Sequence, residues 1–292
     1  MKKTSKIYIA GHTGLIGSSI KRKLKELSYT KIVTRTHKEL DLTSKEKVER
    51  FFLKAKPEFV FLAAAKVGGI HANSIYPADF IHENLMIQTN VINAAYKYKT
   101  KQLMFFSSSC IYPKNCRQPM KEEYLMTGPL ESTNEPYALA KLAGIAMCIA
   151  YNKQYGTKFI SVIPANVYGI NDNFSEDGHV LASLIRKFHL AKIKSQKFIE
   201  LWGTGKPKRE FLFAENLAVA CIELMKNYND SEIINVGSGQ DTSIKELAEI
   251  VKKITDYKGR IVYDRTKPDG NLRRSLDGNK ILYSDRRGKS EE

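Results

Sequence analysis

The chain has 292 residues, is 42% hydrophobic, and carries 47 Lys and Arg against 31 Asp and Glu, a formal net charge of +16. That length suits one large domain or two intimately linked ones, and the ordinary apolar fraction excludes a low-complexity or disordered protein. No run of roughly 18 apolar residues exists, which argues against a membrane-spanning helix.

The positive excess is scattered. It reads either as a Lys-rich surface bias or as a field that attracts anionic ligands such as nucleotides. No arginine–aromatic module of a nucleic-acid reader is present, so nucleic acid is not an expected partner. Cys110, Cys116, Cys148 and Cys221 match no zinc or CxxC spacing, so no metal is expected. They read as free thiols of a reducing compartment. The N-terminus, MKKTSKIYIAGHTG, is basic, but its apolar part spans only Ile7 to Ala10. That is too short for a signal peptide and reads as the first strand of a cytoplasmic protein.

In chain order, KIYIAGHTGLIGSSIKRKLKEL predicts strand, glycine turn and helix, with Ile16, Ile20, Leu24 and Leu27 at helical spacing. KIVTRT is a second strand. FVFLAAAKVGG (59–69) is a third, followed by a helix around Asn84–Tyr98. LMFFSSS continues the series, then a helix over Tyr137–Tyr155 and a strand FISVIPAN (159–166). Apolar runs without alternation, separated by helical stretches, imply a parallel sheet covered on both faces. The fold class is therefore α/β, a Rossmann-type doubly wound parallel sheet. After Asn166 the pattern changes to a Gly, Asn and Asp-rich stretch with a basic helix near Val180–Lys194. EIINVGSG returns to strand, TSIKELAEIVKKI predicts a helix with a Ser243–Glu246 capping box, and GRIVYD one more strand. The expected division is a nucleotide-binding domain of 1–166 and 212–239 with a smaller α/β substrate lobe of 167–211 and 240–292.

The loop from Gly11 to Gly17 is GxxGxxG between the first strand and helix. Gly11 permits the tight turn, Gly14 lets backbone approach a pyrophosphate at the helix N-terminus, and Gly17 allows close packing. The tip of the second strand, Thr34 to Lys38, holds Arg35 and His37 and no acid, which favours the 2′-phosphate of NADP(H) over the free ribose of NAD; the alternative is a simply solvated Arg35. Asp41 is placed to meet the adenine edge.

Tyr137 and Lys141 are four apart on a helix and so share a face. An ammonium beside a phenol is expected to lower the phenol's pKa, fitting it to exchange a proton with a carbonyl or alcohol. Ser108 ends a buried strand and is placed to bond the reacting oxygen. This set resembles the extended short-chain dehydrogenase/reductase superfamily. Dehydratases of that superfamily carry a Thr-Asp-Glu cluster where this chain has Ser108-Ser109-Cys110, so water elimination lacks its acid and base.

Within the superfamily the sequence is similar to the GDP-L-fucose synthases. The matching stretches are AGHTGLIGSSI (10–20), LAAAKVGGIHANSIYPADFI (62–81), SSCIYPKNCRQPM (108–120), TNEPYALAKLAGI (133–145), DNF…HV (172–180), WGTGKPKREFLF (202–213), INVGSG (234–239) and KPDG (267–270). The resemblance implies a GDP-4-keto-6-deoxy-D-mannose substrate, epimerised at C3 and C5 and then reduced at C4 by NADPH to GDP-L-fucose. It implies a reductase triad of Ser108, Tyr137 and Lys141, Cys110 as epimerisation base and His179 as acid. It places the cofactor on Gly11, His12, Thr13, Gly14, Leu15, Ile16, Gly17, Arg35, His37, Asp41, Ala64, Tyr137, Lys141, Pro164, Asn166, Val167 and His179. It places the substrate on Ser108, Ser109, Cys110, Asn166, Lys187, Trp202, Arg209 and Asp269, with Arg186 in the same basic stretch and Arg209 on the diphosphate. It also implies a homodimer through the Tyr137 helix and its neighbour.

Some positions depart from the family. Thr13 and His37 stand where the family has arginines for the 2′-phosphate, and REFLFAEN replaces REFLHVDD. After KPDG the chain stops short of the family's closing amphipathic helix, and YSDRRGKSEE reads as a frayed tail. Two other readings stand beside the full reaction. One is a relative performing half of it, or a 4-epimerase on another nucleotide sugar. The other is a non-catalytic NADP-binding protein. Cys110 with His179 argues against the first, and intact Ser108, Tyr137 and Lys141 against the second.

Overall fold

Ile7–Ala10, Phe59–Leu62, Gln102–Phe106 and Phe159–Pro164 are buried at every residue, as strands covered on both faces must be. In the computed structural model, which describes residues 1–280 apart from 176, 177, 229, 268 and 270, these runs are β1, β3, β4 and β5. The remaining strands are β2 (Ile32–Thr34), β6 (Asn166–Tyr168), β7 (Phe198–Trp202), β8 (Lys208–Phe213), β9 (Ile234–Val236), β10 (Asp241–Ser243), β11 (Arg260–Asp264) and β12 (Arg273–Arg274). The helices are α1 (Leu15–Glu26), α2 (Lys45–Ala55), α3 (Ile70–Ile75), α4 (Pro77–Lys97), α5 (Glu135–Tyr155), α6 (Val180–Ile193), α7 (Ala214–Asn227) and α8 (Ile244–Thr255).

Among the described residues, six strands form one parallel sheet in the order β2-β1-β3-β4-β5-β9. The chain reverses its winding between β1 and β3. In such sheets ligands bind outside the carboxyl ends of the strands at that switch point. A smaller sheet is built on β8, which pairs with β10 antiparallel and with β12 and β6 in parallel. β7 and β11 form a parallel ribbon. Two buried apolar clusters follow this division. One fills both sides of the large sheet. The other joins Leu181, Leu184 and Phe188 of α6 to Leu247, Ala248 and Val251 of α8, with Ile199 and Leu201 of β7.

Local signals hold where they are strong. Ser243 caps α8 and Glu246 returns the bond, the capping box expected from sequence. α5 ends at Gly156 in a left-handed conformation. Two predicted strands are shorter than expected. The 59–69 run stops pairing at Leu62, because Asn84 of α4 takes the backbone of Lys66: Oδ1 accepts from Lys66 N at 3.0 Å and Nδ2 donates to Lys66 O at 2.9 Å. The Leu103 run ends at Phe106 and turns into a tight 3-10 loop over Ser109–Ile111. The tail expected to fray, 283–292, lies outside the described residues, as do Pro268 and Gly270 of the KPDG turn.

α5 lies unusually close on the sheet. A Cβ at Gly144 would fall 2.3 Å from Phe105 Cζ and 3.0 Å from Gln88 Oε1. Phe105 is fully buried and cannot swing away. We expect Gly144→Ala to destabilise the protein. Relief of the helix-interior glycine contributes about 1 kcal/mol, whereas overpacking costs about 1–3 kcal/mol. Urea unfolding checks this, and an unchanged or raised midpoint would show that α5 has slack.

Candidate active site

The glycine loop leaves β1 at Gly11, whose φ of +82° suits only glycine. Its missing side chain also matters, since a Cβ would sit 2.7 Å from Ala64 N. A Cβ at Gly17 would come within 2.2 Å of Gly11 O, so α1 packs hard onto the loop. α1 begins with no side-chain cap and no acid in its first turn. Its free N–H groups and the positive end of its dipole are therefore open to an anion. His12 Nδ1 is buried without a partner, and burial followed by the charge of Lys21 holds the imidazole below its usual pKa. A cleft of about 430 Å³ beside the loop is lined by His12, Thr13, Ser18, Lys21, Arg22, Lys25 and Asn171. These features fit a phosphate-bearing dinucleotide. Leu15 and Ile16 open the helix over the loop, and Ala63 and Ala64 close it from beyond β3.

At the tip of β2, Arg35 and His37 are exposed. Glu39, the acid of that turn, is held by Thr36 N and Oγ1 at 2.7 and 2.8 Å. Asp41 Oδ1 closes a turn with Thr43 N and Oγ1 at 2.9 and 2.7 Å.

Four reactive groups, Ser108, Cys110, Tyr137 and Lys141, meet at the carboxyl end of β4. The Ser108 hydroxyl accepts from Cys110 N at 3.4 Å and lies close enough to the Tyr137 hydroxyl and the Cys110 thiol to favour the ionised form of each. Lys141 is 4% exposed and donates to Phe106 O, the last residue of β4, at 2.9 Å. Its Nζ lies 5.8 Å from the centre of the Tyr137 ring. This arrangement corrects one expectation. Burial pushes the Tyr137 phenol up, the Cys110 sulfur adds to that, and only the Ser108 hydrogen bond opposes it. Lys141 faces the ring and the β4 carbonyl, and burial lowers the amine itself to about 8. The Cys110 thiol is likewise raised by burial, opposed in turn by Ser108, Arg274 and Lys141.

The other sequence-derived positions are spread around this centre. Pro164 closes β5, Val167 lies in β6, and Asn166 donates from Nδ2 to Glu210 O at 2.8 Å. His179 is exposed at the start of α6 and makes no side-chain cap there. Lys187 donates to Glu200 O at 2.7 Å, and Trp202 is 67% exposed with Lys267 over its ring. Both Asp269 oxygens are engaged by Thr204, through N at 2.6 Å and Oγ1 at 2.7 Å, so this carboxylate holds the 203–206 turn. Arg209 donates to Lys208 O and Asn271 O. Ser109 offers its carbonyl to Arg274 Nη1 at 3.5 Å. Arg274 escaped the sequence reading, since nothing local in NLRRS distinguishes it; only the pairing of β12 with β8 brings it in.

Residues 7–237 match the NAD dependent epimerase/dehydratase family. GDP-L-fucose synthase 1 of Arabidopsis thaliana is 53% identical over 280 residues, covering 96% of this chain and 87% of the relative. A solved GDP-6-OMe-4-keto-L-xylo-heptose reductase from C. jejuni superposes with a TM-score of 0.93 at 39% identity, over 97% of this chain and 93% of that one. A GDP-L-fucose synthetase from Naegleria fowleri bound to NADP superposes at 0.90 with 28% identity, over 97% and 88%. With a glycine cradle on β1 and a Ser-Tyr-Lys cluster on β4 and α5, the chain belongs to the NAD dependent epimerase/dehydratase family and, within it, to the GDP-L-fucose synthases.

Proposed function

We propose that this protein converts GDP-4-keto-6-deoxy-D-mannose to GDP-L-fucose, epimerising C3 and C5 and reducing C4 at the expense of NADPH. The observation that carries the reading is that Ser108, Cys110 and Tyr137 come together at the end of β4, with the Ser108 hydroxyl capping the Cys110 turn and acting on both the phenol and the thiol. It joins a carbonyl-polarising pair to a carbon base in one site, which reduction alone does not need. Ser108 and Tyr137 bond the C4 carbonyl oxygen and so acidify the protons at C3 and C5. Cys110 removes each in turn. Burial keeps the resting thiol protonated, and the positive charges of Arg274 and Lys141 favour its ionisation. His179, from the start of α6, returns each proton on the opposite face. The nicotinamide, when bound, supplies hydride to C4. Burial keeps the Tyr137 phenol protonated until the alkoxide forms, and Tyr137 then gives that proton to the far more basic new alkoxide.

Gly11 to Gly17 and the N-terminus of α1 hold the pyrophosphate. Arg35 and His37, exposed where no free acid competes, read the 2′-phosphate of NADP, with Asp41 near the adenine. Ala64, Pro164, Asn166 and Val167 border the cofactor. Lys187, Trp202, Arg209 and Asp269 belong to the substrate side, in a lobe of 167–211 and 240 onward that faces the 1–166 and 212–239 domain. α5 exposes Leu139 and Ile149, two apolar side chains about 80° apart around the helix and suited to a homodimer contact. Among the described residues no helix is long and apolar enough to cross a membrane. The four free thiols suit a reducing, cytoplasmic setting.

A second reading, reduction of another GDP-4-keto sugar without epimerisation, draws on the likeness to the C. jejuni heptose reductase. One experiment separates them. NADPH oxidation is followed with GDP-4-keto-6-deoxy-D-mannose in heavy water. GDP-L-fucose carrying deuterium at C3 and C5 is expected. Oxidation giving an unepimerised, unlabelled product establishes the reductase instead, and no oxidation while NADPH remains bound sinks both. In Cys110→Ser, exchange at C3 and C5 falls by roughly 10²–10⁴-fold with NADPH binding unchanged; exchange at the wild-type rate would remove the thiol from the mechanism.

Lys141 supplies a test that needs no substrate. Folding moves its amine from 10.5 to about 8. The cost is fully present below pH 8 and is relieved as pH rises towards 10.5, because the unfolded chain alone still binds the proton in that window. Measured against Lys141→Met by urea unfolding, the wild type gains roughly 2–3 kcal/mol between pH 7 and 10. A difference that stays flat would mean the amine keeps its proton in the fold.

A further inference from the structure

α1 carries three consecutive basic residues, and two of them are spoken for. Arg22 reaches across to α7, where Glu215 Oε1 accepts from its Nε at 3.1 Å and its Nη2 at 2.5 Å. Lys23 pairs with Glu26 of its own helix at 2.5 Å. Lys21 is half-buried, yet among the described residues it has no ion pair and no hydrogen bond. A half-buried ammonium gives up part of its hydration, and here no protein group replaces what is lost.

Helix geometry puts that ammonium beside the glycine loop. Lys21 stands one turn after Gly17, whose contact with Gly11 presses that side of α1 onto the loop. Helical side chains lean towards the N-terminus, so Lys21 points back to His12 and Thr13 and lines the 430 Å³ cleft with them. Nothing else from the loop supplies a charge there. Thr13 is neutral. Burial, and then the charge of Lys21, hold His12 below its usual pKa, so the imidazole is neutral at pH 7. Glu39 is held by Thr36 N and Oγ1 and does not pair with Lys21. On the β2 side, Arg35 donates from Nη1 to Thr34 O at 2.7 Å and lies over the Phe51 ring, 5.7 Å from its centre. The loop thus has one cation on either side of it, Arg35 from the strand and Lys21 from the helix.

We propose that Lys21 determines cofactor specificity in this chain: its ammonium, delivered from the second turn of α1, meets the 2′-phosphate of NADP from the side opposite Arg35 and supplies the charge that Thr13 cannot. The assignment rests on the NADP reading given above and names the residue that carries it. A phosphate monoester holds close to two negative charges at pH 7, and a lysine ammonium serves it as a mobile point charge. NAD has no group at that position, so Lys21 acts on the choice between the two cofactors and leaves their shared pyrophosphate to the loop.

The test is calorimetric titration of NADP and of NAD into the full chain, for wild type, Lys21→Gln, Lys21→Arg, Thr13→Arg and the double variant of Thr13→Arg with Lys21→Gln. In Lys21→Gln, NADP binds roughly 10–100-fold more weakly and NAD as in wild type, so the preference falls by the same factor. Lys21→Arg keeps the preference. Thr13→Arg restores it to Lys21→Gln and adds less to wild type, because the two cations serve one phosphate. The thermal midpoint of Lys21→Gln without cofactor is that of wild type, since the free protein gives the ammonium no partner and glutamine forms helix equally well. An unchanged NADP preference in Lys21→Gln overturns the assignment and leaves the NADP reading standing. Equal loss of NADP and NAD also overturns it, since Lys21 would then serve the pyrophosphate or the fold. A wild type that does not prefer NADP overturns the NADP reading, and the assignment with it.

Discussion

The contact between Gly144 and Phe105 sets the distance from α5 to β4, and the reacting groups depend on that distance. Lys141 stands one helical turn before Gly144 and Tyr137 one turn before that, so both are carried onto the end of β4 together. The amine reaches the last carbonyl of the strand, and Tyr137 comes within reach of Ser108, which caps the turn after it. A side chain at Gly144 would lift the whole face. Water is excluded by the same closeness. That exclusion raises the phenol and the thiol, holding both protonated, and lowers the amine to about 8.

The turn is braced from its far side by buried polar groups. Tyr112, just beyond it, donates to Asn235 Oδ1 at 2.7 Å, and Asn235 Nδ2 donates to Met120 O and Asp277 O. Glu122 accepts from Asn235 N at 2.9 Å. Glu210 holds Leu276 and Gly239 in the same way. Strand β9 of the large sheet, the segment after β12 and the 107–124 loop are therefore joined through side chains whose hydrogen bonds are met inside the protein. Such satisfied networks fix one arrangement, because each alternative leaves a buried group unpaired. Arg274 is delivered to Ser109 by this frame rather than by any local preference of its strand.

The charge of the chain acquires a location here. Most of the excess is dispersed surface lysine. The concentrated part lies beside the glycine loop, at Lys21 and Lys25, and between β8 and β12, at Arg209 and Arg274. The two places suit the two phosphate-bearing molecules that a nucleotide-sugar reductase must hold at once.

Sequence alone determined the periodic and local features. Apolar runs without alternation identified the parallel sheet, the glycine spacing identified the first turn, and a four-residue interval put Tyr137 and Lys141 on one helix face. The Ser243–Glu246 cap was readable for the same reason, since its partners are three residues apart. Only the tertiary structure decided what depends on register and enclosure. The 59–69 strand ends early because Asn84 claims Lys66. Asp269 is bound to Thr204, Arg274 lies against Arg209, and burial rather than the neighbouring amine sets the Tyr137 phenol. Short-range patterns repeat along the chain and can be read from it. Pairings between distant segments, and the loss of water around a buried group, exist only once the segments have met.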